Sequence, residues 1–140
     1  MTKKYELTSE TNECYGETLY RIRALVSFGD VSKGDRGGWI AREENLSHIG
    51  NAWAYDDAEV LENAKVYGNA KIRGNACVFG SAKVFDEANV CDDAVVFDNA
   101  KVFGRARVCG EVEIFNNAEV CGSAWLRRDA VVCGDDRVEA

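Results

Sequence analysis

Residues 64–75 read Ala64-Lys65-Val66-Tyr67-Gly68-Asn69-Ala70-Lys71-Ile72-Arg73-Gly74-Asn75, two copies of one six-residue unit. Each copy has a small residue, an aliphatic residue two places on, and a closing Gly-Asn pair. Outward from there the small residue returns at Ala52, Ala58, Ala76, Ala82, Ala88, Ala94, Ala100, Ala106, Ala118, Ala124 and Ala130, with Val112 as the exception. The aliphatic position keeps step from Val60 through Val78, Val96 and Ile114 to Val132. A helix is excluded, because six residues at 3.6 per turn do not bring a side chain back to the same face. A short strand fits. Period-two alternation places the Ala and the aliphatic residue on one face, and the Gly/Asn/Asp pair supplies a corner with positive φ. Units this short bury their apolar face only by stacking, so most of the chain is a repeat array.

The register resembles that of the hexapeptide-repeat family, and the match runs from Asn51 to about Gly134. The resemblance implies an all-β fold, a left-handed parallel β-helix of triangular section with three hexads per coil. Parallel crossovers are otherwise right-handed, so the resemblance and not the period decides the hand. About five coils are expected, with Val and Ala stacked into a continuous core. In this chain the aliphatic residue is followed by an aromatic, Cys or Arg, where the family commonly has a small or acidic residue.

Residues 1–46 have a different texture and are read as an N-terminal β cap, with residues 47–140 as the β-helix in one continuous unit. Thr18, Tyr20, Ile22, Ala24 and Val26 alternate on one face, opposite Arg21 and Arg23, and Tyr5 to Leu7 precede them across a turn at Asn12 to Gly16. Such an antiparallel sheet would cover the open end of the rod, which otherwise exposes core and unpaired backbone groups. Gly37-Gly38-Trp39-Ile40 is expected to join cap to coil, with Trp39 on the end of the core. A short N-terminal segment ending in Gly-Gly-Trp is similar to that of uncharacterised hexapeptide-repeat proteins of bacteria, prophages and phages.

The net charge of −7 argues against a nucleic-acid or anionic-membrane partner. No apolar run approaches a membrane-spanning length and no signal-peptide core follows Met1, so the cytoplasm is the expected compartment. Its six cysteines are then expected as thiols. Cys91 and Cys109, eighteen residues apart, stack on adjacent coils, a spacing that would also admit a disulfide or a metal pair; with no CxxC and no neighbouring His to complete a ligand set, two stacked thiols are the reading and no metal site is expected.

The resemblance also raises acyl transfer, for which family enzymes use a histidine general base near an inserted loop or a subunit interface. The single histidine, His48, falls before the first clear hexad on the grid of the aliphatic positions, and no loop interrupts Ala52 to Ala130. The residues therefore predict no catalytic site, no cofactor and no enzyme. Gly29 to Asp35 has the glycine spacing of a phosphate loop but carries Asp35 where the lysine belongs, and reads as a turn.

Steps of eighteen sort the outward positions into three faces. The first collects Phe79, Phe97 and Phe115 beside Val95 and Val131, an apolar stripe predicted to pair two copies as a homodimer. On the second, Lys65, Lys83 and Lys101 lie beside Tyr67, Phe85 and Phe103. The third carries Trp53, Tyr55, Arg73, Arg107, Trp125 and Arg127, bordered by Asp92 and Asp93, and its Trp and Arg content marks it as the surface for a protein partner. The reading is a protein-binding module. Similarity to phage proteins implies inhibition of a host complex, CRISPR or another defence system, through an acidic rod surface; a hexapeptide-type acyltransferase and a structural assembly module are the alternatives.

Overall fold

The computed structural model describes residues 3–139, and these form a left-handed parallel β-helix closed at one end by an antiparallel sheet. Strands β1 (Tyr5–Cys14) and β2 (Glu17–Ala24) make a hairpin, and β3 (Arg36–Ile40) pairs antiparallel with β2 on one edge and parallel with Glu59–Val60 on the other. From Trp53 onward every strand has two or three residues and recurs on one of three parallel sheets. Eighteen residues separate neighbours in each sheet, as in Cys77↔Val95 and Val78↔Val96. The inward Ala and Val side chains are buried along the coils as far as Ala124, and on the last coil Leu126, Ala130 and Val138 are half-buried. They stack into one apolar column, the core expected from the hexads.

Corners need a residue at positive φ, and their chemistry follows from what that conformation does to the backbone N–H. The N–H of Gly110 finds no backbone carbonyl; it donates instead to the Asp92 carboxylate one coil earlier, at 3.0 Å. The same bond joins Gly74 to Asp56, Gly80 to Glu62, Gly104 to Asp86, Asn116 to Asp98 and Gly134 to Asn116. Asp and Asn tolerate the left-handed region, so one side chain both turns the chain and ties two coils together.

Two features differ from the sequence-based expectation. The winding starts earlier, since Trp39 and Ile40 of β3 already pair with Glu59 and Val60, ahead of residue 47. Here the register is twenty residues, as it is where Leu46 meets Val66, and it returns to eighteen at Trp53↔Lys71. A two-residue insertion around Ser47 to Ile49 absorbs the difference. Consequently Leu46, not His48, takes the core position, and His48 is not on the aliphatic grid. Second, Trp39 does not cover the core end. It occupies an outward position under the Arg21 guanidinium, 4.2 Å from the ring centroid, while Tyr5, Ile22 and Trp53 close the core. Gly37 and Gly38 permit this entry: a Cβ on Gly38 would lie 2.4 Å from the Ala58 carbonyl oxygen.

Two buried polar residues fasten the cap. Asn45, in the 3-10 turn Glu43–Asn45, accepts from the N–H groups of Ala41 and Arg42 and donates to the carbonyls of Glu62 and Ala64. Lys4, 4% exposed, donates its ammonium to the carbonyls of Gly50 and Ala52 at 3.2 and 2.6 Å. Burial lowers the Lys4 pKa to about 8.

Candidate functional site

The third face is one ladder by sequence and two surfaces in the structure. Over its first coils the loop following β2 folds back, and Asp30 accepts from the Tyr55 hydroxyl at 2.6 Å and from Lys71 at 3.4 Å, with the Arg73 guanidinium 3.9 Å away. The Tyr55 and Lys71 bonds hold the Asp30 carboxyl below the usual carboxylate range. Burial, and then its bond to Asp30, pushes the Tyr55 hydroxyl upward. Trp53 lies beneath this loop at 1% exposure, against Phe28 and Tyr5. Its expected role as a surface anchor is therefore corrected: it is a core residue, and Tyr55 and Arg73 are tied up in packing the loop.

Midway along the face, Cys91 and Cys109 are joined in a disulfide, with their Cα atoms 4.7 Å apart. The expectation of two thiols is overturned. The eighteen-residue spacing places the two on adjacent rungs, which hold side chains at disulfide distance; the thiol expectation came from the compartment and not from the geometry. The Asp92 carboxyl lies within 4.8 Å of both sulfurs, but sulfurs bonded to each other do not offer thiolates to a metal. The thiols of Cys14 and Cys77 are pushed up to about 11 and about 12, by burial first and by the nearby Glu59 carboxylate second, which keeps them protonated at neutral pH.

Beyond the disulfide the face is open. Trp125 is 56% exposed, with the Arg127 guanidinium 4.4 Å and the Arg107 guanidinium 6.0 Å from its ring centroid. Asp92 and Asp93 border this half with Glu111, Arg128 and Asp129 along a corner groove. Asp92 is already committed to the Gly110 N–H, so its first role is structural. The structure thus gathers Arg107, Trp125 and Arg127 and sets Trp53, Tyr55 and Arg73 apart from them.

On the first face Phe79, Phe97 and Phe115 stack with centroids 5.0 Å apart and planes within 10°. Tyr15, from the hairpin tip, lies 5.1 Å from Phe79 and covers the first ring. Val95 is half-buried in the same sheet and Val131 is 57% exposed. The second face repeats the device with Tyr67, Phe85 and Phe103, whose planes lie within 2° of parallel.

His48 sits in the two-residue insertion, stacked on Tyr5 at 4.1 Å. Its Nδ1 accepts from the Lys4 backbone N–H at 3.1 Å, which leaves Nε2 to donate to Glu43 at 2.8 Å. His48 and Lys3 together hold the Glu43 carboxyl below its usual range. Both ring nitrogens are engaged, so a proton-transfer role requires one of these bonds to open. Position in the sequence cannot disclose the Lys4 contact, which spans forty-four residues.

No known protein-family profile matches the chain. A stretch of 38 residues is 50% identical to part of an uncharacterized acetyltransferase, YdcK, of Escherichia coli (strain K12). Coil geometry and this stretch together support a hexapeptide-repeat family. The matched stretch is 27% of this chain and 12% of that protein, so the chain spans only a small part of the relative's length. The match also corrects the expectation that the chain is not an enzyme, because a closely similar run of sequence occurs in a protein described as an acetyltransferase, and so points toward an enzyme. Among the described residues no helix is long and apolar enough to cross a membrane.

Proposed function

We propose that the chain is a protein-binding β-helix whose partner sits on the open half of the third face, centred on Arg107, Trp125 and Arg127. The observation that carries the reading is Trp125, a large ring displayed to water between two guanidiniums, the composition on which binding hot spots are built. Inhibition of a host defence complex through this surface is the specific form in which the binding reading is proposed. The first face, with Phe79, Val95, Phe97, Phe115 and Val131, is proposed to take a second copy of the chain.

Acetyl transfer is the second reading, favoured by the 38-residue match and by the placement of His48 at an insertion in the coils. One experiment separates the two. Arg107→Glu, Trp125→Ala and His48→Ala are compared for capture of the cognate partner and for transfer of acetyl from a thioester donor. Capture lost in the first two variants and kept in His48→Ala supports the binding reading. Acetyl transfer lost only in His48→Ala, with capture indifferent to Arg107→Glu, supports the enzyme.

A further inference from the structure

The arginines of this chain fall into two groups. Arg21, Arg23, Arg36, Arg42, Arg73 and Arg137 each meet a carboxylate within 4.0 Å. Arg105, Arg107, Arg127 and Arg128 do not, among the described residues, although the chain carries 24 acidic side chains. All four are exposed and lie on two successive coils. Arg107 and Arg127 stand on the third face beside Trp125, while Arg105 and Arg128 occupy the corners at its two edges. These four guanidiniums make no ion pair among the described residues, although Asp86 and Glu87 share the corner groove of Arg105, and Asp92, Asp93, Glu111 and Asp129 that of Arg128.

Arg128 differs from the other corners. Its φ is +66°, in the left-handed region, at a corner where the other coils place Gly, Asp, Asn or Glu. Among the described residues no following coil reaches this corner, so nothing there requires the acceptor that Asp92 supplies to Gly110, and the position carries a guanidinium.

We propose that Arg105, Arg107, Arg127 and Arg128 form, with Trp125, a docking site for an acidic protein segment that carries an aromatic or large apolar side chain. The inference rests on the binding reading above and names its partner chemistry. The guanidiniums take Asp or Glu carboxylates in paired N–H···O contacts, a geometry that lysine cannot supply, and the open part of the Trp125 ring takes the apolar side chain. Charge complementarity selects this occupant: guanidiniums left unpaired by their own chain are matched by carboxylates from another. Asp93, Glu111 and Asp129 along one corner groove and Asp86 and Glu87 along the other repel an acidic segment at both edges and confine it to the strip of Arg107, Trp125 and Arg127 between them.

The probe is a ten-residue synthetic peptide alternating Glu and Phe, titrated onto the full chain by calorimetry and by Trp emission, beside the same peptide with Gln for Glu and an oligothymidylate. The Glu peptide is expected to bind, with affinity falling as salt rises, and the Gln peptide to bind roughly tenfold or more weakly. Arg107→Glu with Arg127→Glu is expected to weaken the Glu peptide by at least about tenfold, and the milder pair Arg105→Gln with Arg128→Gln to weaken it by a smaller factor, both with unchanged β circular dichroism. Lys83→Glu, on the second face, is expected to leave it unchanged. Equal binding of the Gln peptide, binding of oligothymidylate without the Glu peptide, loss through Lys83→Glu, indifference to the arginine variants or absence of binding would each overturn the proposal. A chain that captures its partner through Trp125 while ignoring the Glu peptide removes the acidic occupant and leaves the binding reading standing.

Discussion

Replacing Asp92 tests whether the acidic corners are built for the fold or displayed for a partner. Its carboxylate accepts the Gly110 N–H at 3.0 Å, and its own φ is +60°. Three substitutions separate these two roles. Asp92→Asn keeps an acceptor and a residue that tolerates the left-handed region, as Asn116 does where it accepts from Gly134 at 3.0 Å; it should change stability by no more than about 0.5 kcal/mol. Asp92→Gly relaxes the backbone but leaves the Gly110 N–H to water, a loss of roughly 1 kcal/mol at an exposed site. Asp92→Ala loses the acceptor and also places a Cβ residue at positive φ, adding about 1 kcal/mol more, for a total near 2 kcal/mol. Urea unfolding followed by circular dichroism, at constant m-value, reads all three differences. The expected order of stability is Asp, Asn, Gly, Ala. A variant order with Ala as stable as Gly, or Asn as poor as Ala, would refute the corner account and return Asp92 to the list of surface acids available for recognition.

Asn45→Ala should cost about 2 kcal/mol or more in the same assay, because it removes four hydrogen bonds of a fully buried side chain and leaves the buried Ala64 carbonyl without the amide that meets it; a cost below about 1 kcal/mol would contradict the network. Lys4 has a pH signature. Its folded pKa of about 8 lies below the ordinary 10.5, so across that window the unfolded chain holds a proton that the folded chain has released, and the Lys4 contribution to stability rises with pH by about 3 kcal/mol. The raised thiols of Cys14 and Cys77 act in the opposite direction, so the measurement is the difference between the parent and Lys4→Met, in which the thiols cancel; a flat difference between pH 8 and 10.5 refutes the assignment. Phe97→Asp should give a monomer by light scattering with an intact β spectrum, and an unchanged mass would remove the first face as a self-association surface.

The hexad register contains the fold nearly whole, because stacking requires the same small and aliphatic residues on every rung and so writes itself into every sixth position. Boundaries were less legible. The twenty-residue first coil depends on a two-residue insertion around His48, a region where the register has not yet begun and no neighbouring unit reveals the slip. Asn45 and Lys4 carry no periodic signal at all. Their importance comes from contacts nineteen and forty-eight residues away, which only a folded end can assemble.

Trp53 and Trp125 show where the division falls. Both hold the same place in the hexad and the same column of the third face, and each stands one residue before an inward position, so by sequence they are equivalent and outward. One is 1% exposed and the other 56%. The repeat alone determined that these side chains leave the coil in the same direction, since the alternation of a strand is local. Tertiary structure decided which of them meets water: the loop after β2 returns across the first coil, lays Phe28 against Trp53 and anchors Asp30 on Tyr55 and Lys71. That return is a contact between distant parts of the chain, set by the packing of the cap on the end of the rod. It closes one half of the face and leaves the other half, with its arginines, open.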